Sequence, residues 1–332
     1  MIDDTATHDT LTRDDNTTNP DKGTPLVEVT GLSHRYGDTL AVDNLDLNVR
    51  GGEFVAVLGK NGSGKTTLFR VLSTLLPVQS GHAVIAGADL AKQTMAARGR
   101  LGIIFQSPSL DIKLTVLENM RCQGALYGLT GDRLINRCDE LLKQFSLEDR
   151  RDEFCQTLSG GLKRRVELAK GLLHRPPVML LDEPSTGLDP SARLALWDAL
   201  EALASEGVAV LLTTHLMDEA AKATRVVLLD AGKKIADASP SELQRQVGDR
   251  VLTLVADDVA LAESVLRDEL NLHPRRVGNT LRLTSEQSGD VDLASLVDPI
   301  ASRLGDNVQS IAFGRASLED VFVAKTGTAF LD

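Results

Sequence analysis

The sequence predicts an α/β protein whose main sheet is largely parallel, with an all-helical insertion and a small α+β unit towards the C-terminal end. The main sheet is predicted from short, continuous apolar runs of the kind that strands buried on both faces require. Helical segments separate several of these runs, and this alternation indicates a mainly parallel sheet. The runs cover residues 54–58, 101–105, 178–181, 208–212 and 226–229.

The insertion and the C-terminal unit are predicted where that alternation stops. Consecutive helices are expected over about 114–175, at 116–126, 133–145 and 161–173. After Pro240 the pattern changes to strand, helix, hairpin, helix and strand, with Gly278-Asn279 as the hairpin turn. That β-α-β-β-α-β order is the split arrangement of ferredoxin-like domains. We therefore expect a main domain over 25–240 and an accessory domain over 241–332.

The composition excludes several classes of protein. Of the 332 residues, 42% are hydrophobic, 36 are Lys or Arg and 47 are Asp or Glu, so the formal net charge is −11. The chain is too apolar to be disordered as a whole, and its acidity argues against a general nucleic-acid binder. Its three cysteines are too scattered for a disulfide framework or a zinc site, which favours a reducing cytoplasm. No apolar stretch approaches the ~20 residues that span a bilayer. Residues 1–24, rich in Asp, Thr and Asn, are expected to be a disordered acidic leader.

A phosphate-binding turn is predicted after the apolar run at 54–58. Residues 59–66 read GKNGSGKT and fit the P-loop pattern G-x-x-x-x-G-K-[ST]. The glycines let backbone N–H groups curl around phosphate oxygens, and a helix that begins near Gly64 directs its positive dipole end at the same anion. The strand–turn–helix context argues against a chance glycine-rich turn. The expected nucleotide-binding residues are Gly59, Asn61, Gly62, Ser63, Gly64, Lys65, Thr66 and Thr67.

Two acids end the apolar run at 178–181. Asp182 is expected to hold Mg²⁺ together with the Thr66 hydroxyl, and Lys65 to reach the terminal phosphates. Glu183 is one residue further on, so we expect it to face the γ-phosphate and polarise the attacking water. The alternative is a solvated strand end, which is common for one acid and much less so for two acids between an apolar run and a proline.

The segment LSGG at residues 158–161, taken with the P-loop, makes this chain resemble an ABC transporter ATPase subunit. Seven motifs occur in the family's order over about residues 26–240. The resemblance implies that Glu183, His215 and Lys65 are catalytic and that ATP and Mg²⁺ are bound. It also implies Mg²⁺ contacts from Thr66, Gln106 and Asp182. Besides the P-loop, the residues that match the family's nucleotide contacts are Tyr36, Gln106, Ser159, Gly160, Gly161 and Asp189.

The signature segment at 158–161 has a physical role of its own. Ser159 is a good N-cap residue, and the two glycines after it leave backbone N–H groups open at a helix start, which makes a second anion site. The resemblance implies that two copies pack head to tail, with each ATP between one P-loop and the other copy's Ser159-Gly160-Gly161. Many family members have Gln where this chain has Leu162. The backbone donors remain, so we expect ATP binding to survive that difference.

Looser matches point to one branch of the family. Residues 107–119 and the C-terminal SLEDVF at 317–322 resemble the ATPases of drug and polysaccharide exporters, including the daunorubicin-resistance type. They imply a separate membrane permease that docks on the helical insertion, and a location on the cytoplasmic face of the cell membrane. The alternatives are a soluble ABC ATPase that acts on ribosomes or DNA, and a regulatory subunit that binds ATP without cleaving it. The basic run at 163–165 is interpreted as a solvated helix face rather than a nucleic-acid site.

Overall fold

The structure is a computed structural model that describes residues 23–248, 250–284 and 292–330, so nearly all of the predicted leader lies outside the described residues. The strands are β1 (Pro25–Tyr36), β2 (Thr39–Arg50), β3 (Phe54–Gly59), β4 (Ser80–Ile85), β5 (Ala88–Asp89), β6 (Leu101–Ile104), β7 (Val178–Asp182), β8 (Ala209–Thr214), β9 (Arg225–Asp230), β10 (Lys233–Ala238), β11 (Arg250–Ala256), β12 (Arg275–Val277), β13 (Thr280–Thr284) and β14 (Val308–Arg315). The α-helices are α1 (Lys65–Leu72), α2 (Thr94–Arg98), α3 (Val116–Leu126), α4 (Gly131–Gln144), α5 (Gly160–Leu172), α6 (Pro190–Ser205), α7 (Met217–Ala220), α8 (Pro240–Arg245), α9 (Val259–Asp268), α10 (Val297–Leu304) and α11 (Leu318–Thr326). Short 3₁₀ turns cover Glu148–Arg150, Cys155–Thr157, Leu293–Leu296 and Gly305–Asn307.

The main sheet has six strands in the order β10-β9-β3-β8-β7-β6, and all neighbouring pairs except β10–β9 are parallel. This confirms the predicted α/β core. Strand β3 sends Phe54, Ala56 and Leu58 into one hydrophobic cluster and Val55 and Val57 into another, so both faces of the sheet are buried. The pairing also places the carboxyl ends of β3, β6, β7 and β8 at one edge. The functional site lies at that edge.

A second, antiparallel sheet in the order β2-β1-β4-β5 covers one side of the core. Strand β1 continues past Gly31 to Tyr36, because its pairing with β2 resumes after a bulge. Strands β4 and β5 were not predicted. Strand β4 reads SGHAVI, and its first three residues are exposed, so it lacks the apolar pattern of a buried strand.

The helical insertion consists of α3, α4 and α5, whose ends lie within two residues of the predicted ones. Helix α3 begins with a capping box in which Thr115 and Glu118 satisfy each other's backbone N–H groups. The interpretation of residues 163–165 as a solvated face is wrong for Arg164, which is 4% exposed. Its guanidinium is buried because Glu167, one turn further along α5, is buried with it at 2.9 Å.

The C-terminal unit is an antiparallel sheet in the order β12-β13-β11-β14, with elements in the sequence β-α-β-β-α-β. Leu252, Leu254, Leu281 and Leu283 pack with Ile300 in a hydrophobic cluster of this unit.

The chain then returns to the main unit through α11. Val321 and Phe322 are fully buried in the larger core cluster, together with Leu243 of α8. Residues 241–332, predicted as one accessory domain, therefore do not pack only on themselves. Over the residues that the structure describes, we find no helix with both the length and the apolarity needed to cross a membrane.

Candidate functional site

The P-loop forms the turn between β3 and α1, as the sequence predicts. Gly64 is the N-cap of α1 and has a φ of 105°, a conformation that side chains disfavour. A Cβ at Gly59 would lie 2.4 Å from Ser63 Oγ and 2.5 Å from the Leu229 carbonyl oxygen, so only glycine fits there. Lys65 folds back over the loop and its Nζ donates to the carbonyls of Gly59 at 2.7 Å and Lys60 at 2.9 Å.

The loop has the donor set of a phosphate cradle. Ser63 is buried, and its Oγ has no hydrogen-bond partner among the described residues. Thr66 is exposed in the first turn of α1, whereas Thr67 is buried, and Asn61 and Gly62 are exposed in the loop. An orphaned hydroxyl beside the N-terminus of an eight-residue helix fits an anion with oxygen acceptors.

The two acids after β7 occupy different environments. Asp182 is 8% exposed and accepts a hydrogen bond from the Thr213 hydroxyl. Burial raises the pKa of its carboxyl above the ordinary value, against the effect of that hydrogen bond, and the Glu183 charge adds to the rise. Burial likewise lowers the pKa of the Lys65 ammonium, and the charges of Glu183 and Asp182 oppose this shift. The charges of Lys65, Asp182 and Glu183 therefore interact at the carboxyl ends of the strands.

Glu183 is held in a special conformation between two other predicted residues. Its φ is 43°, and its backbone N–H donates to the Thr213 carbonyl oxygen at 3.1 Å. Left-handed backbone is costly for a residue other than glycine and marks positions that the surrounding structure fixes. Gln106 Nε2 donates to Glu183 Oε2 at 3.1 Å. His215 Nδ1 lies 3.1 Å from Glu183 Oε1 but is not aligned as a hydrogen bond.

The signature segment lies against the first turn of α6 and the loop that leads into it. Ser159 is the N-cap of α5 and accepts from the Leu162 N–H at 3.3 Å, as predicted from its residue type. A Cβ at Gly161 would lie 2.6 Å from Ala192 Cβ, and one at Gly160 would lie 3.7 Å from the Gly187 carbonyl oxygen.

Two other residues that are predicted to contact the nucleotide, Asp189 and Tyr36, interact with nearby residues of the chain. Asp189 caps α6, and the hydrogen bonds from the Ser191 hydroxyl and the Ala192 N–H lower the pKa of its carboxyl. Tyr36, at the end of β1, is 45% exposed, with its ring 5.0 Å from that of His34.

Three features of the site were missed by sequence reasoning. Thr213 joins Asp182 to Glu183, and it could have been noticed as the first hydroxyl after the apolar part of β8. Glu219 is 2% exposed and accepts hydrogen bonds from the hydroxyls of Ser185 and Thr214. Nothing local in the sequence indicates that it is buried.

The third missed feature joins the P-loop to the C-terminal helix. The Lys60 ammonium lies 5.5 Å from the centre of the Phe322 ring, within the range of a cation–π contact. Because Phe322 lies on α11, the contact could not have been predicted from either local segment.

Comparisons with known proteins agree with this geometry. A family model described as ABC transporter matches residues 42–186. The daunorubicin/doxorubicin resistance ATP-binding protein of Streptomyces peucetius is 38% identical over 312 residues, which cover 92% of this chain and 93% of that protein. The Nod factor export ATP-binding protein I of Cupriavidus metallidurans is 35% identical over 314 residues, 93% of this chain and 100% of that protein.

Solved structures give the same result. The structure of an ATP-binding subunit of an ABC transporter has a TM-score of 0.61 at 32% identity and covers 67% of this chain and 92% of its own. A dimeric ATP-binding cassette in a post-hydrolysis state, bound to ADP and phosphate, has a TM-score of 0.58 at 28% identity, with 64% and 98% covered. The alternative role on ribosomes or DNA is not favoured by these relatives. The chain belongs to the ABC transporter ATP-binding proteins, the subunits that bind and hydrolyse ATP.

Proposed function

We propose that this ATPase works as a head-to-tail homodimer that drives a separate membrane permease for export of a drug-like, lipid or polysaccharide substrate. The observation that carries the catalytic part is Glu183, which accepts a hydrogen bond from Gln106 and lies beside His215 at the strand edge that also bears the P-loop. Glu183 orients the attacking water and takes up its proton. Lys65 and His215 stabilise the charge that develops on the transferring phosphoryl group.

The dimer is proposed because the chain has one P-loop and a second anion-binding helix start at Ser159. A nucleotide between two copies would use both surfaces at once, and closed dimers with isologous interfaces are the commonest assemblies. A related cassette of known structure is described as dimeric. Tyr36 would stack on the adenine, and Asp189, on the loop beside the signature, would contribute to the same interface.

Magnesium is proposed to be held by Thr66, Gln106 and Asp182. The exposed Thr66 hydroxyl and the carboxylate and amide oxygens are the oxygen ligands that Mg²⁺ prefers. When bound, the ion neutralises charge on the β- and γ-phosphate oxygens. Within the described part of the chain there is no cluster of three or more His, Cys, Asp or Glu side chains that could hold a metal. This fits an ion that takes much of its coordination from phosphate and water.

Export is proposed from the names of the relatives, which concern drug resistance and Nod factor export. The helical insertion of α3, α4 and α5 would receive the permease, and the chain would lie on the cytoplasmic face of the membrane. We further propose that β11–β14 form a ferredoxin-like accessory domain, since their sheet order is that of the split β-α-β-β-α-β arrangement.

Substitution Glu183→Gln tests the proposal, with Glu201→Gln on an exposed position of α6 as the control. Loss of the general base should lower turnover by about 10²–10⁴-fold, while ATP and Mg²⁺ trap a dimer that light scattering detects. The control should turn over like the unmodified protein and dimerise only transiently. Turnover of Glu183→Gln close to that of the unmodified protein would show that Glu183 is not the base.

A further inference from the structure

A buried ion pair on α5 is hydrogen-bonded to the backbone of the segment that carries Gln106. We call residues 105–109, between β6 and the helical insertion, the Q-segment. The Arg164 and Glu167 side chains are 5% and 1% exposed, and their charged groups lie 2.9 Å apart. Two charges this deeply buried require further hydrogen bonds to offset their desolvation.

Both residues make those further hydrogen bonds with the Q-segment, Arg164 at its start and Glu167 at its end. Arg164 Nη1 donates to the Phe105 carbonyl at 2.9 Å, and Nη2 lies 3.5 Å from the Gln106 carbonyl. Glu167 Oε1 accepts from the backbone N–H of Ser109 at 2.6 Å and from its hydroxyl at 3.3 Å. Lys170 Nζ, one turn further along α5, donates to the Ser109 carbonyl at 2.8 Å.

The same helix begins at the signature segment. Ser159 caps α5, and Arg164 follows it by little more than one turn. A helix moves as a rigid element, so a displacement of its start is carried to Arg164 and Glu167. We expect the Q-segment to follow, because Arg164 and Glu167 would otherwise keep only each other and lose the further hydrogen bonds that offset their burial. Gln106, in turn, holds Glu183 through its side chain.

We propose that Arg164 and Glu167 are positioning residues that make Gln106 follow the movement of α5, so that the signature segment of each copy controls Glu183 of the same copy. The inference rests on the proposed dimer. There, the signature segment of one copy binds the ATP held by the P-loop of the other. Occupancy of one nucleotide site thereby aligns the water-orienting group of the second site, and hydrolysis becomes cooperative in ATP.

The test replaces both charges at once, as Arg164→Met with Glu167→Leu. Removing one partner would strand a buried charge and endanger folding, whereas an apolar pair of similar volume is often tolerated. The control is the same pair of substitutions at a partly exposed ion pair of α9, Arg267→Met with Glu263→Leu. Melting curves establish folding. Equilibrium ATP binding, kcat and the Hill coefficient for ATP are then measured on the full-length chain.

The double variant is expected to bind ATP within about threefold of the unmodified protein, to lose about tenfold in kcat, and to show a Hill coefficient near one. A purely structural role of the pair would shift the melting curve and leave the Hill coefficient unchanged, and that result overturns the proposal. If the double variant does not fold, Glu167→Gln is measured instead. This substitution keeps the side-chain volume but weakens the hydrogen bonds to Ser109. Unchanged cooperativity in Glu167→Gln also overturns the proposal.

The proposed function fails separately, through normal turnover of Glu183→Gln. An inactive Glu183→Gln together with a fully cooperative double variant leaves the ATPase assignment in place and removes only the positioning role of Arg164 and Glu167.

Discussion

Gln106 Nε2 donates a hydrogen bond of 3.1 Å to Glu183 Oε2, although the two residues are 77 positions apart. The bond exists because β6 and β7 are parallel neighbours, with Ile104 paired to Leu181, so both strands end at the same edge. The amide of Gln106 thus fixes one oxygen of Glu183, and His215 Nδ1 lies 3.1 Å from the other. The hydrogen bond from Gln106 restricts how the carboxylate can rotate, and so it restricts the directions in which Glu183 can orient a water molecule.

Two substitutions of Gln106 separate the amide's role from its bulk. Gln106→Ala frees Glu183 to rotate, and we expect kcat to fall about tenfold with little change in KM, since mispositioning affects the transition state more than binding. Gln106→Glu places a second negative charge against Glu183 and should lower kcat further. Steady-state ATPase assays at saturating Mg²⁺ give both values. Equal, unchanged kcat values for the two variants would show that the hydrogen bond has no catalytic role.

Asp182→Asn should change how stability depends on pH. Burial raises the pKa of Asp182 in the folded chain above its ordinary value near 3.8, so the folded state holds this proton to a higher pH than the unfolded state. Stability contributed by the group is therefore lost as pH rises through that interval. The Asn variant lacks this loss.

Urea unfolding without nucleotide at several pH values tests this expectation. The variant's advantage in unfolding free energy should grow from about pH 4 upward and then level off. Asp218→Asn, at an exposed position, is the control and should show no such trend. A difference between Asp182→Asn and the unmodified chain that stays constant with pH would contradict the prediction.

Local signals were enough to predict the parallel core, the P-loop and the three helices of the insertion. Each of these features is encoded by neighbouring residues, such as the Thr115 and Glu118 capping box or the continuous apolar run of β3. Asp189 shows that such a signal can also be overlooked. An acid followed by proline and serine is a typical helix start, and the structure uses it as one.

The features that were missed depend on partners far away in sequence. Strand β4 is stabilised by pairing with β1, not by its own composition. Arg164 and Glu167 stand three residues apart, a spacing that surface ion pairs also have, so burial could not be inferred from it.

Phe322 ties the end of the chain to the core, and its truncation should be costly. It is fully buried, with the Phe330 ring 4.9 Å away and the Lys60 ammonium above it. Phe322→Ala is expected to lower the unfolding free energy by about 3–5 kcal/mol. Phe313→Ala removes an equal ring from a partly buried position on β14 and should cost markedly less. Denaturant unfolding of both variants measures the difference, and a loss for Phe322→Ala no larger than that for Phe313→Ala would contradict the prediction.

Glu219 connects the two loops that follow β7 and β8. Its buried carboxylate accepts hydrogen bonds from the hydroxyls of Ser185, two residues after Glu183, and of Thr214, next to His215. Arg193 Nε lies 3.8 Å from the same carboxylate. Replacing Glu219 with Ala leaves the buried hydroxyls of Ser185 and Thr214 without their acceptor, which should cost about 3 kcal/mol of unfolding free energy.

The same substitution should loosen both loops, so kcat is expected to fall by about tenfold or more even in protein that remains folded. Its neighbour Asp218 is exposed on the same short helix and provides a matched control, because Asp218→Asn changes an acid without touching the buried hydroxyls. Unfolding curves and ATPase assays on the two variants separate the effects. If Glu219→Ala loses stability but keeps full turnover per folded molecule, the network supports the fold and not the placement of Glu183 and His215.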